Sequence, residues 1–359
     1  MNCNIKVNKI DHEGLKSFVG LSKSEYDSTN AVTDYDQMVW KHLDTAHGPS
    51  TAINLNCKDV TVGRVLLQPR KVRVGEKEVN IAFATDSLVL LEFRRPLSNF
   101  FSIMKEIKHI NDFSLVLHTS NENTEAIYRN VLKFKCPISL SGYGVPVNLR
   151  AIFKKIVGFD SAIFEIINLP YRWLINSACF FIAKYMSALV LTSDQPDENV
   201  LDHHIGNHKF SGDFQIIRSL EFLKWRFNGS PHWKANVLHI YSKRNYVGYL
   251  AIREVELDGL KFTIIMDFSV NADLSWFDVL FIRFSVIKIA INNRSDAVFT
   301  LLNHRADMAK KFTGIPFFKV PDRLLPHKTP FFVHINDESI FSIDTLKKLH
   351  ITLADLDYF

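Results

Sequence analysis

A mixed α/β architecture, two similar domains in tandem joined by a helical linker, is the fold class the sequence predicts. The chain has 359 residues and a mass of 41.3 kDa, which suits two domains of roughly 150–200 residues each. Hydrophobic residues make up 47% and charged residues 23%, enough apolar surface for packed cores and too much for disorder. The third observation is that the same landmarks recur, in the same order, in both halves.

Trp40 in VWKHL and Trp225 in LKWRF head the two copies. Gly63 and Gly248 follow, each inside alternating apolar runs (INLNCKDVTVGRVLL, VLHIYSKRNYVGYLAI) where polar residues and a Gly read as a hairpin turn. Gly75 and Gly259 mark a second turn. A strand bearing an acid comes next, Asp86 in AFATDSLVLL and Asp267 in TIIMDFSVNA. Asn123 and Asn303 end the following strand, Ala126 and Ala306 stand three residues on, and Phe134 and Phe312 close a helix. From Trp to Ala the offsets are 185, 185, 184, 181, 180 and 180, the signature of a diverged duplication.

In the first half the elements run helix Asp36–Leu43, strands Thr51–Asn56, Thr61–Gln68 and Val79–Leu91, helix Asn99–Lys108, strand Phe113–His118, helix Thr124–Leu132, and a tail from Pro137. Strands followed by a helical crossover indicate a mixed sheet with antiparallel hairpins and one parallel pair. The expected division is 1–150, a helical linker and loop 151–199, and 200–359. TSDQPDEN marks the loop at Thr192–Asn199, and the Phe-rich segment Ala151–Leu191 is expected to pack between the domains.

Cys3, Cys57, Cys136 and Cys179 form no CxxC pair, and the N-terminus has no apolar signal core. The expectation is a cytoplasmic protein with free thiols serving as small buried hydrophobes. Tyr171–Leu191 is the most apolar stretch, but Arg172 and Lys184 leave it short of the ~20 residues of a membrane span. It reads as a buried or interface helix, with attachment to a membrane surface as the other reading. The formal net charge of +5 is scattered, so a nucleic-acid partner is not expected.

Each half resembles the GNAT acyltransferases, which move an acyl group from a CoA thioester to an amine. VLLEFRRPLSNFFSIM is similar to the family's stretch from central strand into pyrophosphate loop and helix, and SNENTEAIYRNVLKF to the helix whose Tyr faces the thioester sulfur. The tandem form resembles bacterial sugar N-acyltransferases of polysaccharide loci, the type that acylates dTDP-3-amino-3,6-dideoxygalactose with 3-hydroxybutanoyl-CoA. The resemblance implies an acyl-CoA co-substrate (coenzyme A), a nucleotide-linked amino sugar as acceptor for lipopolysaccharide O-antigen synthesis, and no metal.

It also implies a site. The backbone of Leu88, Val89 and Leu90 would receive pantetheine. Arg94, Arg95, Pro96, Leu97, Ser98 and Asn99 would cradle the pyrophosphate at a helix start, with Asn123 nearby. Leu97 and Asn99 stand where the family carries glycine. Tyr128 would protonate the departing thiolate. His118 and Asp86 are the two candidates for the base, and a water chain is the third route for the proton. His203, His204 and Trp225 are placed at the acceptor. Asp202, His203, His204 and His208 read as a loop rather than a metal cluster. In the second half the loop VNADLSWFDV has two acids and no base, and Met308 stands at the Tyr position, so that copy is expected to have lost CoA chemistry. Two other functions stay open: a tRNA-dependent aminoacyl transferase of the same architecture, and a non-catalytic acyl-CoA-binding scaffold.

Overall fold

The computed structural model describes residues 3–75, 77–95, 98–120, 122–158, 162–185, 188–207, 214–325 and 329–356. The chain forms two compact units built from interleaved segments. Unit 1 comprises Met1–Ser139, Phe214–Lys234 and His327–Leu349; unit 2 comprises Leu140–Asp213, Ala235–Pro326 and His350–Phe359.

The first segment of unit 1 contains β1 (Cys3–Lys9), α1 (His12–Lys23), α2 (Tyr35–His42), β2 (Thr51–Cys57), β3 (Val60–Val74), β4 (Lys77–Val89), α3 (Ser98–Glu106), β5 (Leu115–Thr119) and α4 (Glu122–Ala126). Strand β6 (Lys135–Pro146) carries the unit boundary. Unit 2 continues with α5 (Leu149–Val157), α6 (Ala162–Tyr185), β7 (Leu189–Thr192) and α7 (Glu198–Asn207). The chain then returns to unit 1 for β8 (Gln215–Ile216) and α8 (Leu220–Leu223). It goes back to unit 2 for β9 (Asn236–Ser242), β10 (Asn245–Leu257), β11 (Leu260–Val270), α9 (Trp276–Asn292), β12 (Ala297–Leu302) and β13 (Phe318–Lys319). Last come β14 (Thr329–Ile335) and α10 (Ile343–Leu346), both in unit 1.

The sheet of unit 1 runs β1-β2-β3-β4-β5-β14, and that of unit 2 runs β6-β12-β11-β10-β9-β7. Each has one parallel pair, β4 with β5 and β11 with β12, among antiparallel neighbours. The mixed sheet inferred from the duplicated pattern is thus present twice. The helices begin where short polar side chains satisfy the first free amides: Asp11 accepts from the Gly14 N–H, and Asp34 from that of Gln37. In unit 1 one apolar cluster joins Ile53, Val65, Val89, Ile103, Val116 and Phe332, and a second packs α1 on Ala52, Leu66 and Leu88. In unit 2 the core runs from Ile240 and Leu250 through Phe268 to Ile282, Val286 and Phe312.

Three readings are corrected here. Gly63 and Gly248 do not sit in turns. The β2–β3 turn is Lys58–Asp59, both at positive φ, and Gly63 lies inside β3 beside a bulge between Leu55 and Asn56. Gly248 lies at the matching bulge of β10, at φ +150, where a Cβ would collide with the Ser269 carbonyl and stand 2.8 Å from the Val270 Cα. A bulge and a turn ask for the same residue type, so spacing alone does not separate them. Gly75 and Gly259, at φ +61 and +77, are turn residues as read. Second, Cys3 and Cys57 are not free: they are register partners across β1 and β2 and form a disulfide, leaving Cys136 and Cys179 as thiols. A separation of 54 residues hides an antiparallel pairing that puts their Cα atoms 4.3 Å apart. Third, the helix read over Thr124–Leu132 is α4 followed by a π-helical turn, Ile127–Val131.

Candidate active site

Strand β4 of unit 1 has the two features on which a carbonyl-binding site can be built. It bulges, with Asp86 and Ser87 facing the single residue Val65 of β3 and Asp86 at φ +48. It also outruns its parallel neighbour: β4 pairs with β5 from Ile81–Leu115 to Ala84–His118, β5 ends at Thr119, and β4 runs on to Val89. Backbone groups past Ala84 on that edge are therefore open to something other than strand β5. The same pair of features recurs in unit 2, with a bulge between Ala251 and Ile252 and pairing of β11 to β12 limited to Phe262–Ile264.

The bulge is pinned by charge. The Asp86 carboxylate lies 2.7 Å from Lys41 Nζ and 2.7 Å from His42 Nε2, and His42 Nδ1 lies 2.9 Å from Ser50 Oγ. Burial alone would raise the Asp86 pKa, but the Lys41 charge and the His42 hydrogen bond override it and hold the carboxyl well below the usual range. An ionised, doubly paired carboxylate is a poor proton acceptor, so the geometry gives Asp86 a holding part. Lys41, His42 and Ser50 were missed in the sequence; the acid on the strand was visible, its partners His42 and Lys41, 44 and 45 residues upstream, were not.

His118, the last residue but one of β5, is fully enclosed, with ring centroids 5.1 Å from Phe134 and 5.6 Å from Tyr128. Neither imidazole nitrogen has a hydrogen-bond partner among the described residues. Burial, aided by His334, pushes its pKa down to about 3, so it is neutral at physiological pH and a weak base. Tyr128 sits in the π-helical turn, 4% exposed, packed 5.4 Å from Phe332 and 6.1 Å from Phe134. The structure therefore brings Tyr128 and His118 together in one aromatic cluster.

After β4 the chain makes a short turn, Leu91–Phe93, into α3. Arg94 donates from Nε to the Val89 carbonyl at 2.8 Å and from Nη2 to Glu25 at 2.6 Å. The other Glu25 oxygen accepts the Leu91 N–H at 2.9 Å. An anion, here a side-chain carboxylate, thus occupies the amide and guanidinium at the strand end. Arg95 and Ser98 are exposed; Asn99 donates to the Phe93 carbonyl at 2.9 Å. Leu88 and Val89 are buried and Leu90 half-buried. Pro96 and Leu97 lie outside the described residues; Asn123 falls in α4, its side chain outside them too.

The corresponding loop of unit 2 is closed by its own residues. Asp278 accepts the Ser275 N–H at 3.2 Å in a capping box that satisfies the start of α9. Asp267 is buried and accepts from the Tyr249 and Thr352 hydroxyls, each at 2.8 Å, and Met308 is buried. Unit 2 has instead a pocket of about 840 Å³ lined by His203, His204, Arg244, Tyr246, Asn271 and Asp273, among others. His203 is exposed, while His204 is buried with its ring edge-on to Tyr246 at 4.8 Å. Trp225 is elsewhere, in unit 1, with Trp40 stacked on it at 5.4 Å and the Arg70 guanidinium 4.7 Å from its ring centre. Its faces are taken up by protein. His208 lies outside the described residues.

No family model matches the chain, and no curated protein matches its sequence. Solved structures do. A conserved protein of unknown function from Enterococcus faecalis V583, described as a probable N-acyltransferase, aligns with a TM-score of 0.57 at 12% identity, covering 93% of this chain and 73% of that one. Saccharomyces cerevisiae N-myristoyltransferase with bound myristoyl-CoA and inhibitors aligns at 0.55 and 12% identity, covering 92% and 80%. A GCN5-related N-acetyltransferase from Kribbella flavida gives 0.55 at 9% identity, covering 93% and 72%. The chain has the fold of the GCN5-related N-acyltransferases. Among the described residues no helix is long and apolar enough to cross a membrane.

Proposed function

We propose that the protein is an acyl-CoA-dependent N-acyltransferase that transfers an acyl group, 3-hydroxybutanoyl or acetyl, to the amine of a nucleotide-linked amino sugar in the cytoplasm. The observation that carries the reading is the end of β4 in unit 1, which bulges, runs on past its ladder with β5, leads through a turn to α3, and shares an apolar cluster with Tyr128 through Val89. Coenzyme A supplies the thioester when bound. The backbone of Leu88, Val89 and Leu90 would hold pantetheine and donate to the thioester carbonyl, and Arg94, Arg95 and the start of α3 would take the pyrophosphate. That Leu91 N–H and Arg94 already hold a carboxylate supports an anion-binding turn even without glycine.

The acceptor amine attacks the thioester carbonyl carbon; the C–S bond then breaks, and the thiolate takes the Tyr128 hydroxyl proton. The amine's own proton leaves to water, because Asp86 is ion-paired and His118 is a weak base. The unit 2 loop, with the Asp278 carboxylate folded onto the Ser275 N–H and hydroxyl, supports a second copy without CoA chemistry. His203 and His204, with Arg244 and Asn271 in the same pocket, form a polar lining suited to a hydroxylated, phosphorylated ligand.

The test is thiol release from acyl-CoA with an aminated dTDP-sugar, alongside thermal shift with CoA alone. Release that depends on the sugar supports the enzyme; a CoA shift without release leaves an acyl-CoA-binding scaffold. Tyr128→Phe is expected to lower kcat by about a hundredfold with CoA affinity unchanged. Unchanged turnover removes the proton-donor role.

A further inference from the structure

We propose that the helical hairpin of α5 and α6 in unit 2 is a docking face for an anionic lipid bilayer, on which the protein lies without crossing it. One side of α6 is committed to its own unit. Asn168 accepts the Leu149 N–H at 2.9 Å, Tyr171 donates to the Pro146 carbonyl at 2.6 Å, and Ile175 and Cys179 are buried in the core. The opposite side carries three adjacent pairs seven residues, or about two turns, apart: Ile166 and Ile167, Trp173 and Leu174, Phe180 and Phe181, all between 45% and 71% exposed. Over the ~36 Å of a 24-residue helix this is a continuous apolar stripe, larger than an ordinary protein surface leaves in water. Ile156 and Val157 at the end of α5, also exposed, extend it.

The charges around the stripe identify what covers it. The two helices carry Arg150, Lys154, Lys155, Arg172 and Lys184, against Glu165 as the single acid. That acid is held by Arg150 at 3.2 Å. The Lys184 ammonium sits 5.6 Å and 5.1 Å from the ring centres of Phe180 and Tyr185, placing a cation among aromatics at the end of the stripe. Of the five bases Lys155 also meets an acid from outside the hairpin, Asp258 at 3.7 Å, so the bases still outnumber the acids at the face; an apolar face with Trp, Phe and Tyr fringed by an excess of bases has the composition of a helix lying in the headgroup region. A second copy seated on the same face through a two-fold axis would bring bases against bases, with its one acid already engaged. An anionic bilayer supplies the opposite charge. Neither helix crosses, since Arg172 interrupts the middle of α6 and no described helix is apolar enough. The inference is independent of the acyl-transfer reading.

The experiment uses the full chain with vesicles of phosphatidylcholine alone and of phosphatidylcholine mixed with phosphatidylglycerol, read by co-sedimentation and tryptophan emission. Binding to the anionic vesicles, weakened by salt, is expected, with a blue shift that Trp173→Phe abolishes. The double variant Trp173→Glu, Phe180→Glu, exposed at both positions and so keeping its melting temperature, is expected to bind at least about tenfold more weakly. Equal binding by the variant, or no binding to anionic vesicles, overturns the proposal. So does a concentration-dependent dimer in sedimentation that the double variant dissolves, which would make the occupant a second copy.

Discussion

Trp40 and Trp225 hold each other reciprocally: each indole N–H donates to the other residue's main-chain carbonyl, both at 2.8 Å, with the rings stacked 5.4 Å apart. They stand 185 residues apart, the offset that also relates Gly63 to Gly248. Equivalent residues of the two copies therefore meet in one contact, and they do so inside unit 1 because the segment Phe214–Lys234 belongs there. Ser230 and His232 of that segment reach Gln37 and Asp34 on or beside α2, so the head of the second copy is fastened along the head of the first.

The first prediction concerns that pair. Trp225→Phe keeps the stack but leaves the Trp40 carbonyl without its buried donor, and a loss of about 1–3 kcal/mol in urea denaturation is expected. Trp40→Phe costs a similar amount. The double variant costs less than the two together, by about 0.5–1.5 kcal/mol, because both bonds and the stack form one unit. Additive losses would show the bonds to be independent.

Glu25 holds the turn where the pyrophosphate is proposed to sit. Glu25→Gln keeps an oxygen to accept the Leu91 N–H and removes the negative charge. CoA is expected to bind several-fold more tightly, by about 1 kcal/mol, because a like charge has left the diphosphate site. Isothermal titration reads this directly, and weaker binding would mean the carboxylate shapes the loop instead.

His118 predicts a dependence on acid. Burial holds its folded-state pKa at about 3, below the unfolded value of about 6.5. As pH falls below about 6.5 the unfolded chain binds the proton first, so stability is complete above that pH and is lost progressively toward pH 3. The slope from this residue approaches 1.4 kcal/mol per pH unit, as an order of magnitude. His118→Phe is expected to flatten the loss between about pH 6 and pH 4, measured by denaturant midpoints across that range. An unaltered slope would mean the ring is not buried neutral.

A bulge glycine and a turn glycine give a contrast. Gly248→Ala forces a Cβ into the Ser269 carbonyl at a φ that only glycine takes without strain, and several kcal/mol of destabilisation is expected, about 3 or more. Gly75→Ala meets no atoms and has only its left-handed conformation to oppose it, so about 1–2 kcal/mol is expected. Thermal melting of the two variants checks the order.

The duplication was legible because function-neutral landmarks, Trp, Gly and a strand acid, keep their spacing when sequence drifts. The order of strands within a copy followed from alternating apolar runs. What stayed hidden was everything that depends on which chain segment meets which. β1 and α1 precede the first landmark, and although β7 and α7 hold the matching places in unit 2, no shared residue flags them in the sequence. The Cys3–Cys57 link and the Lys41–Asp86–His42 cluster exist only through strand register and a helix packed on the sheet. The family resemblance pointed to Tyr128, and the strand end to His118, but neither showed that the two rings pack together or how deeply the aromatic cluster buries them.

Strand β14 has a consequence for how the protein is made. It pairs with β5 from Phe331–Thr119 to Ile335–Leu115 and buries Phe331 and Phe332 completely in unit 1. More than two hundred residues separate these partners, so the ribosome adds that length of chain after β5 before the sheet edge is covered. Until then the nascent front copy offers an unpaired β5 to its surroundings, a hazard for misassociation. A gene cut between the copies would yield a front fragment that cannot finish its sheet, and a rear fragment released with a strand meant for elsewhere.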